Sequence, residues 1–496
     1  MSVDQRRDDA ETASTEQSGS GIPKQIKIVI ALLLGASFVM ILNETVMGVA
    51  IPRLMEELTI SAATAQWLTT AFMLTMAVVI PTTGLILQRF TTRAVFIAAM
   101  SLFTGGTLLA AVSPSFGVLV AARVIQASGT AVMLPLLITT VLTFVPADRR
   151  GRTMGLITIV ISVAPAVGPT FSGFILSFLD WRWMFLSVLP IAGVSLVVGA
   201  AMVRNITEPK SVRFDVLSVV LSALTFGGLI YGLSSIGEAA GGGDTPLPPA
   251  VPIAVGALAL GLFVRRQLVL QRGGDAALMD LRPFRNRTFV VGVVMMLISM
   301  GALFGTLILL PIYLQNVLGL TTLETGLVLL PGGLAMGLIA PVIGRLFDRF
   351  GPRPLVIPGA FVVATALALL NLLDEHSAAA FVLAVNLMLS IGLGFMMTPL
   401  MTSALGSLKP ELYPHGSAIV NTLQQLAGAA GTALFITIMT TGKADNLAAG
   451  LEPIAAEAGG IHNAFLWGAA LSLVAVAASF LVKRPSEPAV DAMPAH

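Results

Sequence analysis

Pro81-Thr-Thr-Gly84-Leu-Ile-Leu-Gln88-Arg89-Phe90-Thr91-Thr-Arg93 returns 260 residues further on as Pro341-Val-Ile-Gly344-Arg-Leu-Phe-Asp348-Arg349-Phe350-Gly351-Pro-Arg353. Proline, glycine, arginine, phenylalanine and arginine coincide between the two stretches. In each, an apolar run ends in a short basic turn and a second apolar run begins, as in a loop between two membrane spans on the side that retains positive charge. A basic turn that recurs in this way predicts two halves of like construction.

Outward from these turns the chain is apolar almost throughout. Of its 496 residues 56% are hydrophobic and 11% charged, and the mean hydropathy is +0.91. A spanning helix takes about 20 mainly apolar residues. Candidate spans lie near 26–50, 66–88, 94–112, 116–144, 153–177, 184–203, 216–236, 250–270, 289–312, 325–345, 355–373, 379–405, 418–441 and 463–482, fourteen in all. Long unbroken runs, in place of alternating segments of about 10 residues, exclude a transmembrane barrel. The fold class is an all-α polytopic membrane protein.

With the amino terminus inside, 24 of the 28 lysines and arginines fall in inner segments, Arg53, Arg182 and Lys443 fall outside, and Arg123 is left within a span. That bias predicts a multi-pass protein of the cytoplasmic (inner) membrane with both termini in the cytoplasm and an even number of spans. It also accounts for a pI near 9.1 with no nucleic-acid partner. The absence of cysteine removes disulfides and thiolate chemistry. Residues 1–25 are polar and charged and lack an apolar core followed by a small-residue cleavage site, so they read as a disordered cytoplasmic tail.

Matching the second span to the tenth makes spans 1 to 6 and 9 to 14 the repeating units. The expected organisation is a six-helix bundle over 26–203, a linker over 204–288 carrying two inserted spans, a second six-helix bundle over 289–482, and a cytoplasmic tail over 483–496. Two facing bundles place a site at their interface, near the bilayer midplane.

The same residues carry a family resemblance. Gly84 to Arg93, with Arg89, and the copy Gly344 to Arg353, with Asp348 and Arg349, resemble the cytoplasmic loop between spans 2 and 3 of the major facilitator superfamily. Arg123-Val-Ile-Gln126-Ala127-Ser-Gly129-Thr-Ala131 resembles its fourth-span motif. Gly155, with Ala164, Pro165 and Gly168-Pro169-Thr-Phe-Ser172-Gly173, resembles the fifth-span motif of its proton-coupled exporters. Leu42-Asn43-Glu44-Thr45 through Ala50-Ile51-Pro52 resembles the first span of the fourteen-span drug:proton antiporters, in the Asn-Glu-Thr form of the lincomycin-resistance type. The resemblance implies the major facilitator fold with fourteen transmembrane helices. It is not complete: Gln88 stands where the family's loop usually has aspartate, Thr91 where it has glycine, and Ala127, Ala164 and Ser172 replace usual glycines.

Glu44 is the one acidic side chain well inside an apolar segment. A charge at membrane depth costs a few kcal/mol even on permissive scales, so a proton, ion or substrate site is its default reading. Glu44 and Arg123 each lie about eight residues from the outer end of their spans, roughly 12 Å deep at 1.5 Å per residue, and can meet if spans 1 and 4 are neighbours, as the resemblance implies. Burial and a guanidinium act in opposite senses on a carboxyl proton. Glu44 is therefore the expected proton carrier and Arg123 its tuner, against the alternative of a fixed structural ion pair.

Arg123, Gln126 and Thr130 share one helix face expected to line the cavity, or else to make interhelical hydrogen bonds. Asn421, Gln424 and Gln425 form a second polar cluster that contacts substrate or ties helices together. Asn43, a candidate for the same substrate site, is turned about 100° from Glu44 and is better placed to bond a neighbouring helix. Gly155, Pro165, Gly168, Pro169 and Gly173 make the fifth span thin and bendable, a gating hinge or a packing kink. Trp181 and Trp183 fit an interfacial belt. The histidines, His376, His415, His462 and His496, fall in loops or the tail.

No phosphate-loop or His-Glu-x-x-His pattern occurs, so no cofactor, no metal and no enzyme activity are expected. The expected function is a proton-coupled antiporter, monomeric, that exports amphipathic or hydrophobic small molecules such as antibiotics across the bilayer by alternating access. One carboxylate implies a low proton stoichiometry. The alternatives are an exporter of an endogenous lipid, peptide or siderophore, and, further off, a proton symporter or a channel.

Overall fold

The structure, a computed structural model, describes residues 23–482 apart from 61, 204, 206–208, 210–214, 241–246 and 274–276, and some helical residues, Pro52 and Pro169 among them, by backbone alone. The expected tails up to residue 22 and from 483 lie outside the described residues, as does most of the start of the 204–288 linker.

Fourteen long helices follow one another with no strand among the described residues. They are α1 (Lys24–Leu58), α2 (Ala62–Val79, continued by a 3₁₀ turn Ile80–Thr82 and a last segment Thr83–Arg89), α3 (Thr92–Ala111), α4 (Phe116–Phe144), α5 (Arg150–Phe178), α6 (Arg182–Met202) and α7 (Val216–Ala240). The rest are α8 (Ala250–Gly273), α9 (Arg287–Ile312, ending in a π turn Tyr313–Val317), α10 (Thr322–Phe350), α11 (Arg353–Leu370), α12 (Ala379–Gly406), α13 (Tyr413–Ala448) and α14 (Pro453–Ser479). Thirteen of them, all but α5, are long and apolar enough to cross a membrane by their described residues. Helices of this kind satisfy every backbone group internally, as hydrocarbon demands.

Local chemistry fixes several helix starts. Asn286 accepts from the N–H groups of Thr288 and Phe289 at the head of α9. Thr321 and Glu324 form a reciprocal capping box on α10. The two repeated turns differ in detail: Gly351 takes a positive φ of 79°, open to glycine, whereas Thr91 is extended and caps α3 by accepting from Ala94 N–H. The departure from glycine at Thr91 thus exchanges one helix junction for another.

The helices α1 to α6 pack on one another, as do α9 to α14, and the broadest contact in the molecule, α5 with α10, joins the two sets. The reciprocal seam joins α13 to α2 and α4. The inserted pair, α7 and α8, is a hairpin whose first helix lies against both α2 and α13 and so covers that second seam.

Two expectations need revision. Trp181 is not in an interfacial belt: it is 1% exposed and its indole N–H donates to Glu57 at 3.0 Å, while Trp183 is exposed. His415 and His462 lie on α13 and α14, because those helices begin a few residues before the hydropathy rises. The connection between α13 and α14 is short, since α13 runs on to Ala448 and α14 starts at Pro453, with Lys443 and Glu457 paired at 2.7 Å across it.

Candidate functional site

The site is organised around Arg123. Its side chain is fully buried in α4 with the guanidinium 4.1 Å from the ring centroid of Phe72 on α2, a cation–π contact that suits a charge away from water. Nη1 donates to Asn43 Oδ1 at 3.1 Å and to Gln126 Oε1 at 3.2 Å, and Nε donates to the Leu68 carbonyl at 3.4 Å. Gln126 then donates through Nε2 to Thr107 on α3 at 2.9 Å. Asn43, Arg123, Gln126 and Thr107 thus form one buried chain across α1, α4 and α3.

Glu44 is half-buried one residue along α1 and is electrostatically coupled to Arg123. Among the described residues it makes no hydrogen bond and no ion pair, whereas Arg123 Nη2 and Asn43 Nδ2 are buried without a partner. The direct meeting expected of Glu44 and Arg123 is replaced by an Asn43–Arg123 bond. Adjacent positions on a helix point about 100° apart, so the rotation of α1 that buries Asn43 against α4 turns Glu44 to another face.

The remaining candidates divide between cavity and scaffold. Gln126 and Thr130 are buried, Thr130 donating to the Gln126 carbonyl of its own helix, so the fourth-span stripe is occupied inside its bundle. Asn421 is buried and donates to the Ser417 carbonyl at 2.8 Å. Gln424 and Gln425 are half-buried, and Gln424 lies 3.9 Å from Met296 sulfur.

On α5, Gly155 approaches α10 so closely that a Cβ there would lie 2.8 Å from Pro341 Cα, and Gly168 would collide with Thr45 on α1. Gly173 has open space, Pro165 is half-buried within continuous helix, and the Pro169 side chain lies outside the described residues. The α5 glycines therefore let one helix touch both α1, which bears Glu44, and the opposite bundle.

The two repeated turns are matched in position. Arg93 donates to the Ala200 carbonyl at 2.8 Å and Arg353 to the Val482 carbonyl at 2.7 Å, so each binds the end of the last helix of its own bundle. Arg89 and Arg349 lie over Phe90 and Phe350. Gly344 packs on the backbone of Gly151, and Gly84 on His415. Asp348 accepts from Gly151 N–H at 2.7 Å and from Arg152 N–H at 2.9 Å, capping α5 from across the seam. Arg150 donates to the Tyr413 hydroxyl, and Thr158 meets Thr398 at 2.7 Å one level deeper. These inter-bundle bonds lie toward the arginine-rich ends of the helices.

Comparison with known proteins fits this arrangement. The family model described as Major Facilitator Superfamily matches residues 33–432. The chain belongs to the major facilitator superfamily. As a superfamily member it is a multi-pass membrane transporter and not an enzyme. It is 43% identical to the lincomycin resistance protein LmrB of Listeria monocytogenes over 461 residues, covering 92% of this chain and 96% of that protein. It is 30% identical to a multidrug resistance protein B homolog of Mycobacterium tuberculosis over 408 residues, 82% of this chain and 74% of that protein. In fold this superfamily member resembles the human organic anion transporter MFSD10 (TETRAN), with a TM-score of 0.65 over 93% of this chain and 100% of that one at 15% identity.

Sequence reasoning missed Phe72, Thr107 and His415. An isolated threonine or phenylalanine in an apolar run carries no periodic signal. His415 stands beside Tyr413 and Pro414, and a proline in the first turn of a helix was a usable sign that α13 begins there.

Proposed function

We propose that the chain is a proton-coupled antiporter that exports amphipathic or hydrophobic small molecules, lincosamide-type antibiotics among them, across the cytoplasmic membrane by alternating access. In this reading the bundles over 26–203 and 289–482 rock against each other, and the arginine-rich ends and both termini face the cytoplasm. The observation that carries it is Glu44, a carboxylate within the first bundle that has no fixed partner among the described residues, beside a buried guanidinium whose Nη1 is bonded to Asn43 and Gln126 and whose Nη2 has no partner. A carboxylate locked in an ion pair would have little reason to exchange its proton; one left unpaired beside a charge can do so as its surroundings open and close. The names of the relatives support the substrate class.

Loading and release follow from exclusion. Export requires that a proton and a substrate not occupy the site together, so Glu44 takes up a proton where the site faces the outer side and gives it up on the inner side. Gln424 and Gln425, half-buried on the facing bundle, supply uncharged contacts for a ligand. Drug susceptibility of a pump-deficient bacterium expressing wild type or Glu44→Gln at matched membrane levels tests the reading. Protection against lincosamides by wild type and loss of it in the variant are expected. Protection retained by Glu44→Gln would remove Glu44 from the coupling step, and no protection by wild type would remove the drug substrates.

A further inference from the structure

The seam between α2 and α13 is closed by an imidazole where the equivalent seam uses a carboxylate. His415, on the first turn of α13, is 5% exposed. Its Nδ1 accepts from the Asp280 N–H at 3.3 Å, and its Nε2 lies 2.8 Å from the Gln88 side-chain amide at the end of α2. An imidazole ring that accepts at Nδ1 carries its hydrogen on Nε2, so the Gln88 amide is turned with its oxygen, in place of the Nε2 found at 2.8 Å, toward the ring, which gives up the 3.5 Å bond from that nitrogen to the Glu411 carbonyl. The ring also fills the space beside Gly84, where a Cβ would come within 2.8 Å of Nδ1. One side chain thus touches the first bundle, the second bundle and the linker between them.

Helix geometry explains why the chemistry changed. In α5, Gly151 and Arg152 are the second and third helical residues and both offer N–H groups to Asp348. In α13 the second helical residue is Pro414, which has no N–H. A carboxylate at position 88 would find half of the donors that Asp348 finds, so glutamine at this position, bonded to the side chain of the third residue, restores the tie across the seam.

The linker reaches the same point through a second chain of bonds. Asp215 binds Arg266 at 2.9 Å and accepts from Ser218 at 2.6 Å. Ser218 in turn accepts from Gln267 Nε2 at 2.8 Å, and Gln267 Oε1 accepts from Met279 N–H at 3.2 Å. Asp280 follows directly. Its carboxylate is held by Arg282 at 2.7 Å, leaving its N–H for His415.

We propose that His415 is a positioning residue of the transport cycle: it seals the arginine-rich end of the α2/α13 seam by joining Gln88 to Asp280, and so makes the inserted helix pair part of that seal. The reading goes beyond the proposed export, and its test is independent of substrate and of Glu44.

The chain has no cysteine, so Thr158→Cys, buried against Thr398 and about two helical turns along α5 from the Arg150–Tyr413 bond, gives a single reporter for a membrane-impermeant maleimide added to the arginine-rich face of oriented vesicles. Adding His415→Ala or Gln88→Leu raises the labelling rate about two- to tenfold, the range expected for one lost buried hydrogen bond. The double variant is no faster than the quicker single, because the two residues act as one bond. His415→Gln, whose amide still reaches Gln88, stays within about twofold of the reporter alone. Gln267→Leu, which frees Met279 N–H, raises the rate in the same direction by less. An unchanged rate in His415→Ala, or rates that multiply in the double variant, would overturn the tie between the bundles. No rise in Gln267→Leu would overturn the part assigned to the inserted pair. If His415→Ala does not fold, Gln88→Leu and His415→Gln decide the question alone.

Discussion

The α5/α10 seam and the α2/α13 seam are equivalent contacts of the two halves, yet they close by different means. In the first, backbone meets backbone at Gly151 and Gly344, and Asp348 caps α5. In the second, the glycine survives as Gly84, but a histidine side chain occupies the contact and the carboxylate has become Gln88. The difference teaches that the repeat preserves how near two helices must come, while the groups that bond across the gap follow the donors each helix start can offer. Only the second seam has an inserted helix lying over it, and only there does a linker residue share the bond, among the described residues.

The largest contrast should come from the paired glycines. A Cβ at position 344 would overlap the Gly151 carbonyl and lie 2.9 Å from Arg152 Cα, atoms of a helix backbone that cannot step aside. At position 84 the nearest atom is an imidazole nitrogen, which can, although His415 Cα at 3.3 Å limits how far. Alanine gains about 1 kcal/mol of helix propensity at either site, and overpacking costs about 1–3 kcal/mol or more where nothing relaxes. Gly344→Ala should therefore lower the thermal unfolding midpoint in detergent clearly, and Gly84→Ala should change it little. Equal losses would mean that the two seams are equally rigid.

The next contrast is between the bonding groups. Asp348→Asn keeps one acceptor for two N–H groups and removes the negative charge at the α5 start. Charge-assisted hydrogen bonds contribute about 1.5–3 kcal/mol, which partial exposure reduces to about 1–2 kcal/mol here. That corresponds to about a tenfold rise in Thr158→Cys labelling at 1.4 kcal/mol per decade, at or above the rise expected for Gln88→Leu. A smaller effect at Asp348 than at Gln88 would reverse the ranking and make the inserted pair's seam the stronger.

How far such features can be read from sequence depends on the kind of signal each leaves. The spans and the two turns were legible because hydropathy and a recurring Pro–Gly–Arg–Phe–Arg pattern are local. The thinness of the fifth span at Gly155 was legible as a small residue at a motif position, while its contact with α10 was not. The partner of Arg123 was not, since Asn43 and Glu44 differ by one helical step and the rotation of α1 is set by packing against α4 and α5. Nor was His415, which looks like a loop residue beside Tyr413 and Pro414. It is buried by Gly84 and Gln88, more than 300 residues earlier, and by Asp280, 135 residues earlier.

The smallest effect separates the linker's contribution from the histidine's. Burial works against the Asp280 carboxylate, but the Arg282 hydrogen bonds outweigh it and hold the group below the usual carboxylate range. A carboxyl depressed in the folded protein contributes stability that is complete above its unfolded value, about 4, and is lost as pH falls through the lower folded value. The unfolding-midpoint gap between wild type and Asp280→Asn should therefore stay constant from about pH 8 to pH 5 and close only below about pH 4. A gap that changed between about pH 5 and pH 8 would belong to an imidazole, the side chain that titrates in that window. It would mean that Asp280 does not act on the seam only through the backbone N–H that the Arg282 pair holds in place.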